Sequence, residues 1–181
     1  MVEQDFLKQV DAGERNFSQA RLAYARLSGK NLAHVNLEQA TLYAGWLDHV
    51  NLAGANLRKS NLTGAHLRKA DLRGANLSDA SLTGADLREA NLSTFSTCLD
   101  RATLIKADLR SANLAGASLR GADLSGAQLS GANLYDTDLE GAVLIDADLS
   151  NADLRGANLK GAHLDAARLT GTIMPDAKTH T

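Results

Sequence analysis

Aromatic residues make up only 4% of the 181-residue chain: three Phe, three Tyr and one Trp. A rounded core of this size usually calls on more large rings, so the expectation is a narrow core filled by Leu and Ala. Cysteine is nearly absent as well. The single Cys98 excludes an intrachain disulfide and suits a reducing compartment. A strong excess of either charge is missing too. Lys and Arg total 19 against 21 acidic residues, a net charge of −2, so no global field draws the chain to nucleic acid or to an anionic membrane. No stretch approaches the ~18 consecutive apolar residues of a membrane helix. The start, Met1-Val2-Glu3-Gln4-Asp5, is acidic and lacks the basic residues and apolar run of a signal peptide. The expected location is cytoplasmic, with no nucleic-acid or membrane partner.

What the chain does have is a leucine at every fifth position. The step holds from Leu22 to Leu92, Phe17 extends it backwards, and after seven residues it resumes at Leu99 and runs to Leu169. A period of five matches neither a helix nor a flat strand, so the chain reads as a solenoid of short identical rungs. With the central residue as i, 23 of the 31 rungs carry Ala at i−2 and 18 carry Asn or Asp at i−1. Gly recurs at i+2, as at Gly54, Gly64, Gly116 and Gly126. The motif is A-(D/N)-L-x-x.

Positions i−2 and i must point inward, and i−1, i+1 and i+2 must face water. A chain that buries residues two apart and turns within five bends about a right angle per rung, so four rungs close one coil of about twenty residues. Coils then stack by parallel backbone hydrogen bonds at about 4.8 Å. Ala fits at i−2 because the bore is too narrow for two large side chains per rung. Gly at i+2 suits a corner with unusual backbone dihedrals. Asn and Asp at i−1 can bond nearby backbone and stack in polar ladders.

This pattern resembles the pentapeptide-repeat family over residues 15–174. The resemblance implies an all-β fold, a right-handed quadrilateral parallel β-helix of about eight coils, roughly 38 Å long at ~4.8 Å per coil. The segments Gly13-Glu14-Arg15-Asn16-Phe17 and Ile173-Met174-Pro175-Asp176 look like termini of cyanobacterial members. Residues 1–14 read as a helical cap, since Val2, Phe6 and Val10 share one helix face and Gly13 can end it. Residues 175–181 read as a tail, where Pro175 lacks an N–H for further pairing. Segment 93–98 carries two extra residues and is expected to bulge at a corner. Lys30 and Arg15 sit at inward positions, so the first coil must be open there or the heads must reach solvent.

Stacking residues twenty apart, or twenty-two across the bulge, predicts the outer columns. One reads Ser18, Glu38, Arg58, Ser78, Asp100, Arg120, Glu140, Lys160, a charge ladder. Another stacks Arg68, Arg88 and Arg110, which with Lys69 make a candidate basic patch for an anion or acidic partner, partly neutralised by Asp86 and Asp108. A third places Arg26, Trp46 and His66 in sequence. With Tyr24 and Tyr43 on the preceding face, Trp46 and His66 form the candidate protein contact. Ile105, Val143 and Ile145 form a second apolar candidate.

No catalytic, cofactor-binding or metal constellation is visible. The histidines, His34, His49, His66, His163 and His180, are scattered, Cys98 has no activating partner in view, and the glycines follow the repeat rather than a phosphate cradle. The expectation is a non-catalytic scaffold without cofactor, presenting a rigid surface to a protein partner, as a monomer or an end-to-end homodimer. Two alternatives stand beside it. Some family members mimic DNA and protect DNA gyrase, but that role needs a strongly anionic rod, and the gyrase-active members favour Phe where this chain has Leu. The other is a structural rod without a specific partner.

Overall fold

The computed structural model describes residues 3–179. Its backbone pairing follows from the five-residue step. Asn16 bridges Asn36 in parallel, Asn36 bridges Asn56, and the series continues through Asn76, Cys98, Ser118, Asp138 and Asn158. Three further series begin at Arg21, Arg26 and Asn31, so the i−1 residues form four columns of eight layers each. Every parallel bridge spans twenty residues except the four that cross the bulge, Asn76–Cys98, Ser81–Thr103, Asp86–Asp108 and Asn91–Asn113, which span twenty-two. We number the faces in chain order by their starting residues, Asn16, Arg21, Arg26 and Asn31.

The bore is lined as the motif requires. Leu27 to Leu154 are buried at the centres, with Ala dominating at i−2. The i+2 corners take positive φ throughout, whether Gly64 (φ 66) or Lys69 (φ 55) occupies them. Glycine is therefore favoured there without being obligatory. The i−1 amides build the ladders expected of them. Asn36 Nδ2 donates to Asn16 Oδ1 at 3.0 Å, Asn56 Nδ2 donates to Asn36 Oδ1 at 3.1 Å, and Asn51 Oδ1 accepts the Ala53 N–H at 3.0 Å.

Helix α1, Glu3–Asp11, closes the first end. Phe6 and Val10 are buried, and Phe6 meets Phe17 edge-on at 4.6 Å. Val2, expected on the same face, lies outside the described residues, as does His180. Both cations at inward positions reach solvent. Lys30 is exposed, so the first coil is open at that corner. Arg15 is exposed but held: its Nη1 donates to Val10 O at 2.8 Å, at the helix C-terminus. Among the described residues the far end has no helix, and Leu159, Leu164, Leu169 and Met174 stay partly exposed. There the chain folds back past Pro175, with Ile173 bridging Thr179 antiparallel.

At 93–98 the extra residues sit at the corner after the fourth face. Thr97 takes the inward position that Ala usually fills and is fully buried. Its Oγ1 accepts the Gly74 N–H at 2.8 Å and donates to Ser93 O at 3.3 Å, replacing a backbone bond that the insertion displaces. Phe95 projects from the bulge, 83% exposed, with its ring lying over Gly116. Any larger residue at 116 would meet that ring.

Candidate protein-contact surface

The corner between the second and third faces is built by Tyr43-Ala44-Gly45-Trp46. Tyr43 is the i+1 residue of the second face and Trp46 is the i−1 residue of the third. Tyr24 stands one coil below, and its N–H donates to Tyr43 O at 2.9 Å. That pairing sets the two rings edge to face, with centroids 5.6 Å apart. On the other side of the corner Trp46 lies flat against His66, centroids 4.6 Å apart and planes 10° apart. Both are forced into register because Trp46 bridges His66. Arg26 lies below Trp46 and, with Ser28, frames a shallow recess of about 380 Å³. Trp46 is 49% exposed and Tyr24 65% exposed. The four contact residues named from sequence thus share one corner.

The basic residues fall on the third face, above this corner. Arg68, Arg88 and Arg110 stack in one column and line a polar recess of about 320 Å³ with Glu89, Ser111 and Ser130. Each arginine has an acidic neighbour. Arg88 grips Asp86 through Nε at 2.8 Å and Nη2 at 2.5 Å, and Arg110 grips Asp108 in the same way. Arg68 and Lys69 approach Glu89 at 3.8 and 3.4 Å. The Arg88 and Arg110 hydrogen bonds hold the Asp86 and Asp108 carboxyls below the usual aspartate range, against the opposing pull of partial burial. Four cations here meet three carboxylates, so the patch is far weaker than the bare column of arginines suggests.

On the first face the charge ladder forms in part. Arg58 reaches Glu38 at 3.3 Å, and Arg120 reaches Glu140 at 2.8 Å and Asp138 at 2.9 Å. Such exposed pairs contribute about 0–1 kcal/mol each. Ile105, Val143 and Ile145 lie on the second face, the face that carries Tyr24 and Tyr43. Cys98 is half-buried beside Ser78, whose Oγ lies 3.0 Å from its Sγ. Among the described residues no group of three or more His, Cys, Asp or Glu is placed to hold a metal ion. No helix of the described residues is long and apolar enough to cross a membrane.

Sequence reasoning missed the contact of Tyr135 with Arg155, whose guanidinium carbon lies 5.8 Å from the ring centroid. The signal was available, because the two stand twenty residues apart in one column. It also missed the buried threonines. Thr137 Oγ1 donates to Leu114 O at 3.0 Å and Thr172 Oγ1 to Leu149 O at 2.7 Å. Threonine in the Ala position was the clue.

These features define a repeat solenoid whose functional groups stand in surface columns around a filled bore. The chain belongs to the pentapeptide-repeat family: the family model described as pentapeptide repeats (8 copies) matches residues 16–54, 55–93, 97–134 and 132–171. Members of that family fold as right-handed β-helices. The chain is 33% identical to HetL, a pentapeptide repeat protein involved in heterocyst differentiation regulation from the cyanobacterium Nostoc sp. strain PCC 7120, over 99% of this chain and 100% of that one, with a TM-score of 0.44. It is 17% identical to QnrB1, a plasmid-mediated fluoroquinolone resistance protein, covering 88% of this chain and 81% of that one, with a TM-score of 0.58. The QnrB1 likeness bears on the fold alone. The pentapeptide repeat protein alr5209 from Nostoc PCC 7120 is 33% identical, over 69% of this chain and 78% of that one, with a TM-score of 0.33. No curated protein matches the chain.

Proposed function

We propose that the protein is a non-catalytic cytoplasmic scaffold that presents one corner of a rigid, right-handed, four-sided β-helix to another protein. In this reading residues 1–14 are the cap, 15–174 the β-helix and 175–181 the tail. The observation that carries the proposal is Trp46. It is the only Trp in the chain, it stands outward where the repeat favours Asn or Asp, and it is half exposed between Tyr24, Tyr43 and His66. A preformed aromatic cluster on a rigid backbone loses little entropy on binding and fits the composition of interface anchors. The bore has no role for Trp46, since its neighbours Gly45 and Leu47 complete the lining.

DNA mimicry has less support. Between residues 15 and 176 basic and acidic side chains balance at 17 each, so the net negative charge comes from the first fourteen residues rather than from the coils. The test is capture by the full chain from its native lysate, compared between the wild type and Trp46→Ala, with Arg120→Ala as a control on another face. A specific partner held by the wild type and by Arg120→Ala but lost more than tenfold by Trp46→Ala supports the proposal. A partner held equally by all three overturns it, provided that thermal melts of the variants coincide.

A further inference from the structure

The second face differs from the other three. Its outward i−1 and i+1 residues, from the first layer to the eighth, are Arg21 and Ala23, Thr41 and Tyr43, Asn61 and Thr63, Ser81 and Thr83, Thr103 and Ile105, Asp123 and Ser125, Val143 and Ile145, His163 and Asp165. Between Arg21 and Lys106 no outward residue of this face is charged. The first, third and fourth faces carry charges within the same layers, at Glu38 and Arg58, at Asp48 and Arg68, and at Asp71 and Arg73. The charges of the second face are polarised along it: Arg21 and Lys106 in the first and fifth layers, Asp123, Asp146 and Asp165 in the sixth to eighth. Its large outward apolar residues are Tyr43 in the second layer, Ile105 in the fifth and Val143 with Ile145 in the seventh, so the second and seventh layers match across the middle.

We infer that this face pairs with the same face of a second copy, antiparallel, about a twofold axis between the fourth and fifth layers. The symmetry decides the contacts. A twofold that brings two faces together with opposed long axes lies in the interface along the rungs, so each i+1 column meets its own counterpart and each i−1 column likewise. Layer two then faces layer seven. Tyr43 meets Ile145 and Thr41 meets Val143. Layer three faces layer six, setting Asn61 against Asp123 and Thr63 against Ser125, both hydrogen-bonding pairs. Layer four faces layer five, setting Thr83 against Ile105.

Layer one faces layer eight, bringing the long Arg21 side chain within reach of Asp165. At the rim, Asp79 of the fourth layer meets Arg101 of the fifth, two residues already paired within one chain at 2.8 Å. No like charges oppose one another. The parallel arrangement sets Arg21 near Arg21 and each carboxylate near its own copy, so charge selects the antiparallel one.

The inference goes beyond the proposed function and divides the corner. Tyr43 serves the second copy, while Trp46 and His66, on the third face, remain free for a different protein. Pairing along the side also differs from association through the open end, where Met174 lies.

The test is the mass of the full chain in solution by sedimentation and light scattering over a wide concentration range. A concentration-dependent dimer is expected. Ile145→Glu shifts its dissociation constant at least tenfold. Arg21→Asp and Asp165→Arg each weaken it, and their combination restores it. Met174→Glu and Trp46→Ala leave it unchanged. With Cys98→Ser, the pair Tyr43→Cys and Ile145→Cys forms a disulfide-linked dimer on oxidation, since the two positions are five layers apart within one chain. A monomer at all concentrations overturns the inference. So does a dimer lost by Met174→Glu but kept by Ile145→Glu. Failure of the dimer with retention of the Trp46-dependent partner leaves the proposed function standing, and the converse result separates them the other way.

Discussion

At the scale of the residue, a bore this narrow leaves each side chain few choices. Alanine dominates at i−2 because its methyl fills the space and carries no polar atom to satisfy. Thr97, Thr137 and Thr172 replace it where their hydroxyls find backbone partners. Ser60 does not: it is buried and its Oγ has no hydrogen-bond partner among the described residues. A buried hydroxyl left unpaired is destabilising by about 1–3 kcal/mol. Ser60→Ala is therefore expected to raise the thermal midpoint, corresponding to about 1 kcal/mol, whereas Thr137→Ala at the same kind of position lowers it. Melting followed by circular dichroism reads both. Inward and outward positions were legible from the period alone. What the threonine hydroxyls bond was not, because that depends on which carbonyl the neighbouring coil presents.

At the scale of the element, the rung, the cap and the bulge differ in how far the sequence determines them. The rung is over-determined, since Leu, Ala, the Asn ladders and the corner residues all agree. The cap was legible from the spacing of Phe6 and Val10. Its anchoring was not, since Arg26 N–H donates to Glu3 Oε2 at 2.7 Å across 23 residues and no local pattern announces such a bond. The broken step marks where the bulge falls, but the reason it is tolerated lies in Thr97, which carries a hydrogen bond the backbone cannot make there. Thr97→Val keeps the volume and removes the acceptor, leaving the Gly74 N–H unpaired inside the coil. It is expected to cost about 1–3 kcal/mol, while Thr97→Ser costs less because the hydroxyl remains. Denaturant titration of the two variants distinguishes this account from one in which 93–98 is merely an exposed loop.

At the scale of the whole molecule, stability comes from stacking nearly identical layers, and function is left to what the layers carry outward. The sequence located the aromatic corner because the period converts residue number into face and height. Trp46, His66, Tyr24 and Tyr43 could be assembled by arithmetic. The arithmetic did not tell how far the arginine column is neutralised, because side-chain rotation decides that: Arg88 folds back onto Asp86 within its own rung and approaches Asp108 of the next coil at 3.4 Å. Nor did it join Tyr43 to Ile145, which become one surface only when a whole face is viewed along its length.

Four five-residue steps close each layer, with two residues inserted once. Engineered disulfides test it most directly, because stacked bridge partners have the short separation a disulfide needs. In a Cys98→Ser background, the pair Ser81→Cys and Thr103→Cys, twenty-two apart across the bulge, is expected to form an intrachain disulfide readily, as is the pair Asn61→Cys and Ser81→Cys, twenty apart below it. The pair Ser81→Cys and Arg101→Cys, twenty apart but one corner out of register, is expected to stay reduced. Efficient cross-linking of 81 with 101 in place of 103 would contradict the account.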